Sequence, residues 1–305
     1  MLKKISVVVP VYFNEESLNI LFDQLAQVGQ SLGKLGLDLE VVAVDDGSKD
    51  KSVEVLDTNS KKYNFLQSYS LTKNFGESTA SKFGLTKITG DAFIVLAADL
   101  QDPPELIIEM AKKWQSGNKF IVCEREKRKD PIVTKLFANI YYKFLTRFIM
   151  PNYPKRGFDL FLMDSKYLNV ITDSSKSSSI PLILTWIGIE PHVIKYDRLA
   201  RSHGKSKWSI KKRINLLLDV LFSFSRKPIR LVSAIGALTA LIGLIFGLTV
   251  IYEKLSGSTV SQGTASLIAL VSFSSGLILL TLGIIAEYIW RIWDEVNKRP
   301  NGIEK

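Results

Sequence analysis

The sequence predicts an α/β domain on a mostly parallel sheet, followed by two hydrophobic helices long enough to cross a bilayer. Up to about Ile194, short apolar runs of β-forming residues alternate with helical stretches: Ile5 to Val9, Leu39 to Val44, Phe93 to Ala97 and Phe120 to Cys123. That alternation is the signature of parallel strands joined by crossover helices. After about Arg226 the character changes, and Ile229 to Tyr252 and Thr264 to Ile289 are each long and apolar. A hydrocarbon core takes roughly 20 helical residues at about 1.5 Å rise. A buried hairpin in a soluble domain is the competing reading, but two such runs joined by a small polar loop have few polar faces to turn to water.

The chain of 305 residues is 46% hydrophobic, enough for a sizeable core, and its formal net charge is +10. A basic chain seeks a partner with negative charge: nucleic acid, anionic lipid or a phosphorylated substrate. Cys123 is the single cysteine, which excludes an intrachain disulfide and a zinc site of several cysteines, and fits a reducing compartment. The opening MLKKISVVVPVY has too short an apolar run, ending at Pro10 without a small-residue cleavage site, to read as a signal peptide.

Basic residues flanking the apolar segments set the expected orientation, because Lys and Arg near a span stay on the cytoplasmic side. Lys205, Lys207, Lys211, Lys212, Arg213, Arg226, Lys227 and Arg230 precede the first, and Arg291, Lys298 and Arg299 follow the second. The loop Glu253 to Gly263 has Lys254 as its only basic residue. Both termini are therefore expected in the cytoplasm. Ser209 to Ser225 and Pro131 to Met150 mix basic with aromatic residues in the manner of helices lying in the headgroup layer; for the second, packing on the sheet explains the pattern equally well. Because the basic excess gathers near the membrane segments, nucleic acid is not an expected partner.

Ligands of open α/β sheets sit at the carboxyl ends of strands, so polar residues there are the candidates. The first strand runs into Pro10, Tyr12 and Glu15, where a helix-start Glu also has an ordinary dipole explanation. The second ends in Asp45 and Asp46, then Gly47, Ser48 and Asp50: adjacent carboxylates suit ribose hydroxyls or a base edge, the glycine permits close backbone approach, and helix capping accounts for only one member of the cluster. The fourth ends in Asp99, Gln101 and Asp102, with Pro103 and Pro104 opening a helix. A hard divalent ion bridging phosphates takes oxygen ligands of this kind. The absence of a P-loop lysine motif and of any Ser-His-Asp arrangement counts against NTPase and hydrolase readings, and His192 reads as a packed residue rather than half of a metal pair with His203.

Taken in order, VVVPVYFNEES, DDGSKD, KNFGESTASKFGLTKITGDAFIVLAADLQDPPE and the tail GIIAEYIWRIWDEVNKRP resemble the family 2 glycosyltransferases of the dolichol-phosphate mannose synthase and bacterial polyprenyl-phosphate glucosyltransferase type. The resemblance runs nearly end to end. It implies a GT-A nucleotide-sugar-binding domain over residues 1–208, an interfacial helix over 209–228, a two-helix transmembrane hairpin over 229–290 and a cytoplasmic tail over 291–305. It implies that Pro10, Tyr12, Glu15, Asp45, Asp46, Asn74, Gly76 and Asp99 bind the nucleotide-sugar, and that Asp99 and Gln101 hold Mg²⁺ or Mn²⁺. The family's Asp-x-Asp signature places its first carboxylate where this chain has Ala97, a departure expected to weaken metal binding.

Further along, DRLARSHGKSKW is similar to the family's Arg-x-x-Arg-x-x-Gly-x-Ser-Lys-aromatic stretch. The likeness implies that Arg198, Arg201, Ser206 and Lys207 grip the acceptor phosphate, Arg forking onto it and Lys adding a mobile charge. It also implies catalytic roles for Arg125, Arg201, Lys207 and Asp159, the last in the family's position for a candidate base. A phosphate monoester has its second pKa near 6, so the acceptor is already largely an oxyanion and Asp159 is expected to orient rather than to drive.

The expected reaction moves a hexose from UDP or GDP to a polyprenyl phosphate with inversion, at the inner membrane. The glycines of the apolar segments also suit close helix packing, within one hairpin or in a homo-oligomer. The alternatives are a scaffold of impaired catalysis that binds nucleotide-sugar or lipid, and a transferase acting on another lipid acceptor. Sugar, base and prenyl length are set by pocket contacts worth about 1 to 3 kcal/mol each.

Overall fold

The computed structural model describes residues 2–126, 142–143, 145–147, 150–154, 156–174, 179–197, 227–256, 263–296 and 302–305. The chain divides into two compact units, Met1–Ile210 with Pro300–Lys305, and Lys211–Arg299.

The first unit contains β1 (Lys3–Val11), α1 (Leu18–Gly33), β2 (Leu37–Asp45), α2 (Ser52–Lys62), β3 (Leu66–Ser70), α3 (Glu77–Leu85), β4 (Ala92–Val95), α4 (Leu106–Gln115), β5 (Phe120–Arg125) and β6 (Phe158–Asp164). A 3-10 turn, Ser165–Tyr167, leads into α5 (Leu168–Thr172), α6 (Ile180–Trp186) and β7 (His192–Tyr196). The strands form one sheet in the order β3-β2-β1-β4-β6-β5-β7. β1, β2, β3 and β4 are mutually parallel, β5 is parallel to β7, and β6 runs antiparallel to both of its neighbours. The sheet is mostly parallel, as the alternating pattern predicts, and β6 alone makes it mixed.

β1 lies in the interior of the sheet, and from Ile5 to Val11 every residue is buried, Ser6 being the one with a polar side chain. α1 buries Leu18, Leu21, Phe22, Leu25, Val28 and Leu32, a stripe at helical spacing. Burying one such side chain stabilises the fold by about 1.5 to 3 kcal/mol. On α3, Gly84 brings the helix onto the sheet, since a Cβ there would stand 3.1 Å from Cγ2 of Val44.

Strand order sets the site. The chain steps from β1 outward through β2 to β3, then returns to place β4 on the other side of β1, leaving a crevice at the carboxyl ends of β1 and β4. Pro10 widens it. The β1–β4 ladder pairs Ile5–Val8 with Ala92–Val95, and Leu96 N–H still donates to Val8 O at 2.9 Å. The next β1 backbone nitrogen facing β4 belongs to Pro10, which has no N–H to offer.

The second unit contains α7 (Lys227–Leu255) and α8 (Thr264–Val296). Among the described residues, one helix is long and apolar enough to cross a membrane: its window is Phe273–Trp293, with mean hydropathy 1.6 and none of it buried. α7 is helical throughout the first expected span and contains a shorter apolar stretch, Val232–Ile245. Ser209 to Ser225 and most of Pro131 to Met150, expected as interfacial helices, lie outside the described residues.

Candidate active site

The site is assembled where β1, β2 and β4 give way to loops. After β1, Phe13 adopts a left-handed backbone, φ 58°, a conformation costly for a bulky residue. Three hydrogen bonds stabilise the turn: Tyr12 N–H donates to Asn14 Oδ1 at 2.9 Å, Phe13 N–H to Ser48 Oγ at 3.0 Å and Asn14 N–H to Ser52 Oγ at 3.0 Å. The turn presents Phe13 to solvent at 43% exposure, its ring edge-on to Tyr12 at 4.5 Å. Glu15 is held from the β2 side, its Oε2 accepting from Lys51 N–H at 2.7 Å. Ser17 Oγ donates to Ala98 O at 2.6 Å and thereby joins the β1 loop to the β4 loop.

After β2, Asp45 and Asp46 are 1% and 2% exposed. Asp45 accepts from Gly47 N–H and Ser48 N–H, both at 3.1 Å to Oδ2, and so shapes the turn behind the strand. Asp46 reaches the next loop, accepting from Phe75 N–H at 2.7 Å and Gly76 N–H at 2.8 Å. Burial pushes the Asp46 carboxyl above its ordinary value; the two N–H donors act against that shift and the neighbouring Asp45 charge adds to it. Gly47, at φ +70°, is required sterically: a Cβ there would lie 2.6 Å from the Lys73 carbonyl carbon and 2.8 Å from Asn74 N.

After β4, Asp99 is half-buried and its Oδ1 accepts from Gln101 N–H at 3.2 Å, while Leu100 between them is left-handed at φ 58°. Asp102 is buried and accepts a hydrogen bond from the Tyr196 hydroxyl, which ties this loop to the end of β7. Phe13, Asn14, Glu15, Glu16, Ser17, Asp50 and Asp99 line a cavity of about 260 Å³. Near the far end of the sheet, Arg125 on β5 and Asp159 on β6 form an ion pair.

This strand-end arrangement coincides with a family match: residues 6–172 fit the model of Glycosyl transferase family 2. The chain belongs to that family.

Family 2 relatives extend the likeness beyond the catalytic unit. The chain is 34% identical over 297 residues to the uncharacterized glycosyltransferase YkcC of Bacillus subtilis (strain 168), covering 97% of this chain and 91% of that one. It is 32% identical over 304 residues to the bactoprenol glucosyl transferase of Shigella phage SfII, covering 99% and 97%. Among solved structures, the fold matches glucosyl-3-phosphoglycerate synthase from Mycobacterium tuberculosis in complex with Mn²⁺ and uridine-diphosphate-glucose, with a TM-score of 0.51, 14% identity, and 72% and 77% of the two chains covered. That likeness establishes a GT-A-like arrangement of the first unit.

Against this family 2 frame, the residues singled out in the sequence separate into groups. Pro10, Tyr12, Glu15, Asp45, Asp46 and Asp99 gather at the β1, β2 and β4 ends, joined to Asn74 and Gly76 through the Asp46 bonds and the close Gly47 approach. Asp45 and Asp46 hold backbone with the oxygens proposed for ribose. Asp159 lies within β6 and is 51% exposed, and Arg125 is its partner. His192 is half-buried at the start of β7, paired with Ile121. Arg198, Arg201, His203, Ser206 and Lys207 lie outside the described residues. Cys123 is buried, and burial, with Asp102 and Glu109 adding, pushes its thiol up to about 12. It packs as a core residue.

Four cavity residues, Phe13, Asn14, Glu16 and Ser17, carried no role in the sequence reading, although their position shortly after Tyr12 was a usable signal. The Asp102–Tyr196 bond had no such signal, because the partners are 94 residues apart.

Proposed function

We propose that this family 2 transferase moves a hexose from a UDP- or GDP-linked donor to a polyprenyl phosphate at the cytoplasmic face of the inner membrane, with inversion at the anomeric carbon. The observation that carries the proposal is the alignment with a bactoprenol glucosyl transferase over 304 residues, which runs through both C-terminal helices rather than stopping with the family domain at residue 172.

In this reading, Pro10, Tyr12, Glu15, Asp45, Asp46, Asn74, Gly76 and Asp99 form the donor site at the strand ends. Asp45 and Asp46 shape it through the backbone they hold. A phosphate oxygen of the acceptor forms the new bond to the anomeric carbon as the bond from that carbon to the nucleoside diphosphate breaks. The acceptor arrives largely ionised, so catalysis rests on positioning and on stabilising the charge of the departing diphosphate. Arg125 supplies a fork of donors for that charge, oriented by Asp159. Arg198, Arg201, Ser206 and Lys207 are assigned to the acceptor phosphate.

A divalent ion, Mg²⁺ or Mn²⁺, fits what the site offers. Among the described residues no group of three or more His, Cys, Asp or Glu stands ready to cage a metal, but Asp99 with Gln101 provides oxygen ligands at a strand end. Mg²⁺ in particular is commonly held by one or two carboxylates plus substrate phosphates and water. Once bound with the donor, such an ion neutralises diphosphate charge.

The chain leaves the first unit after Ile210 and rejoins it at Pro300. If that unit is cytosolic, the intervening segment crosses the membrane an even number of times. This favours α7 and α8 as a transmembrane hairpin, with both termini cytoplasmic and the active site at the depth of a lipid-borne phosphate.

Purified protein incubated with polyprenyl phosphate and labelled UDP- and GDP-hexoses tests the proposal. A lipid-extractable labelled product is expected with at least one donor. Folded protein that yields none with any donor would overturn it.

A further inference from the structure

The last residues of the chain pair with β3. Leu71, just past β3, forms an antiparallel bridge with Glu304, Thr72 N–H donates to Ile303 O at 2.9 Å, and Lys305 N–H donates to Ser70 O at 2.8 Å. β3 is an edge strand of the sheet, and its other side is already paired: Leu71 N–H donates to Asp45 O at 2.8 Å. The exit of β3 is thus held on one side by β2 and on the other by the tail.

Side chains add to the backbone pairing. Lys87 Nζ stands 3.2 Å from Glu304 Oε2 and lies over the rings of Tyr69 and Phe83 at 4.9 and 5.1 Å. Gly302, at φ +152°, passes so close that a Cβ there would meet Leu71 Cδ2 at 3.1 Å. A side chain at this position would be both strained and crowded.

Directly after these contacts the chain enters Lys73–Gly76. There the backbone presses on Gly47 and donates two N–H bonds to Asp46. Without the tail, β2 alone would hold the β3 exit through Leu71 N–H, and the loop beyond it would rely on a carboxylate that burial makes costly to ionise.

We infer that the C-terminal tail, Gly302–Lys305, is a positioning strap for the nucleotide-sugar site: by completing the outer edge at Ser70–Thr72 it holds Lys73–Gly76 against Asp45–Gly47. The inference rests on the donor-site reading above for its effect on binding, while its effect on the loop stands by itself. The tail follows the second hydrophobic helix in sequence, so the last residues of the chain contribute to the geometry of the nucleotide pocket.

The test uses the full chain in detergent, a variant ending at Gly302 and Gly302→Val, which keeps the tail but denies it its path. Amide hydrogen exchange reads the loop, and calorimetric titration with UDP-glucose and GDP-mannose in Mn²⁺ reads the donor site. Expected in both variants is faster exchange at Phe75 and Gly76, with core amides of β1 unchanged, and about tenfold weaker binding of whichever nucleotide-sugar the parent takes. Glu304→Gln, which keeps the backbone pairing, should stay within about twofold. Unchanged exchange at Phe75 and Gly76 after truncation overturns the strap, as does faster exchange with unaltered affinity. A parent protein that binds neither nucleotide-sugar counts against the donor reading, and exchange alone then decides the strap.

Discussion

Arg125 and Asp159 meet as an ion pair where β5 ends and β6 begins, the arginine 17% and the aspartate 51% exposed. A register shift between Cys123 and Glu124 accompanies this meeting in the β5–β6 ladder. Arg156 reinforces the junction, donating from its guanidinium to Glu126 O at 2.7 Å and from its backbone to Glu124 Oε1 at 3.0 Å. The pair is thus held at a strand end, with the arginine the better shielded member.

This relationship separates orientation from proton transfer. Asp159→Asn keeps a hydrogen-bond acceptor for Arg125 but loses the charge. With an ionised phosphate acceptor, kcat is expected to fall by about tenfold to a hundredfold, less than the loss of an essential general base would cause. Arg125→Lys, which keeps the charge and loses the fork, should cost at least as much. Steady-state kinetics with polyprenyl phosphate checks both; complete loss of activity in Asp159→Asn would assign it the role of base and favour a lipid alcohol as acceptor.

Gly47→Ala places a methyl against the Lys73–Asn74 backbone at a positive φ. Backbone rather than a flexible side chain stands in the way, so relief requires moving the loop from Asp46. Unfolding free energy should drop by about 1 to 3 kcal/mol, and nucleotide-sugar affinity should fall with it. Chemical denaturation alongside calorimetric titration measures the two effects.

Glu40 sets a pH limit at the opposite end of the sheet. It accepts from the Ser6 hydroxyl, from Thr89 N–H at 2.8 Å and from Thr89 Oγ1 at 2.7 Å, and is 5% exposed. Burial acts to raise its pKa, but these hydrogen bonds and nearby Lys4 outweigh it and hold the carboxyl below the ordinary 4.5. A depressed carboxylate pKa contributes stability that is present above the ordinary value and lost as pH falls through the folded one. Glu40→Gln should therefore cost about 2 kcal/mol at pH 7, with the gap to the parent closing below about pH 4. Denaturation curves across pH 3 to 7 test this.

Ala97→Asp restores a second carboxylate beside Asp99. Divalent affinity in oxygen sites follows ligand charge, so the Mn²⁺ concentration giving half-maximal nucleotide-sugar binding should fall by about tenfold or more. Titration of Mn²⁺ at fixed donor reads the change directly. An unaltered midpoint would mean that residue 97 lies outside the coordination sphere.

Much of the site was legible because its residues are local. Pro10 and Tyr12 after one apolar run, Asp45 to Gly47 after another and Asp99 after a third each announce a strand end, and parallel strands bring such ends together on one edge. The antiparallel direction of β6 was not legible, since its apolar run FDLFLMD reads the same in either direction. The occupations of Asp45 and Asp46 were not legible either: their acceptors serve N–H groups in the turn behind β2 and in a loop 29 and 30 residues further on.

The sequence by itself determined the α/β class, the strand-end motifs and the hydrophobic character of the last third, because apolar periodicity and turn chemistry act over a few residues. Only the tertiary structure decided which polar groups meet. Arg125 with Asp159, Asp102 with Tyr196 and the tail with Ser70–Thr72 are joined by sheet order and loop closure, and such pairings depend on how distant segments pack rather than on any local pattern.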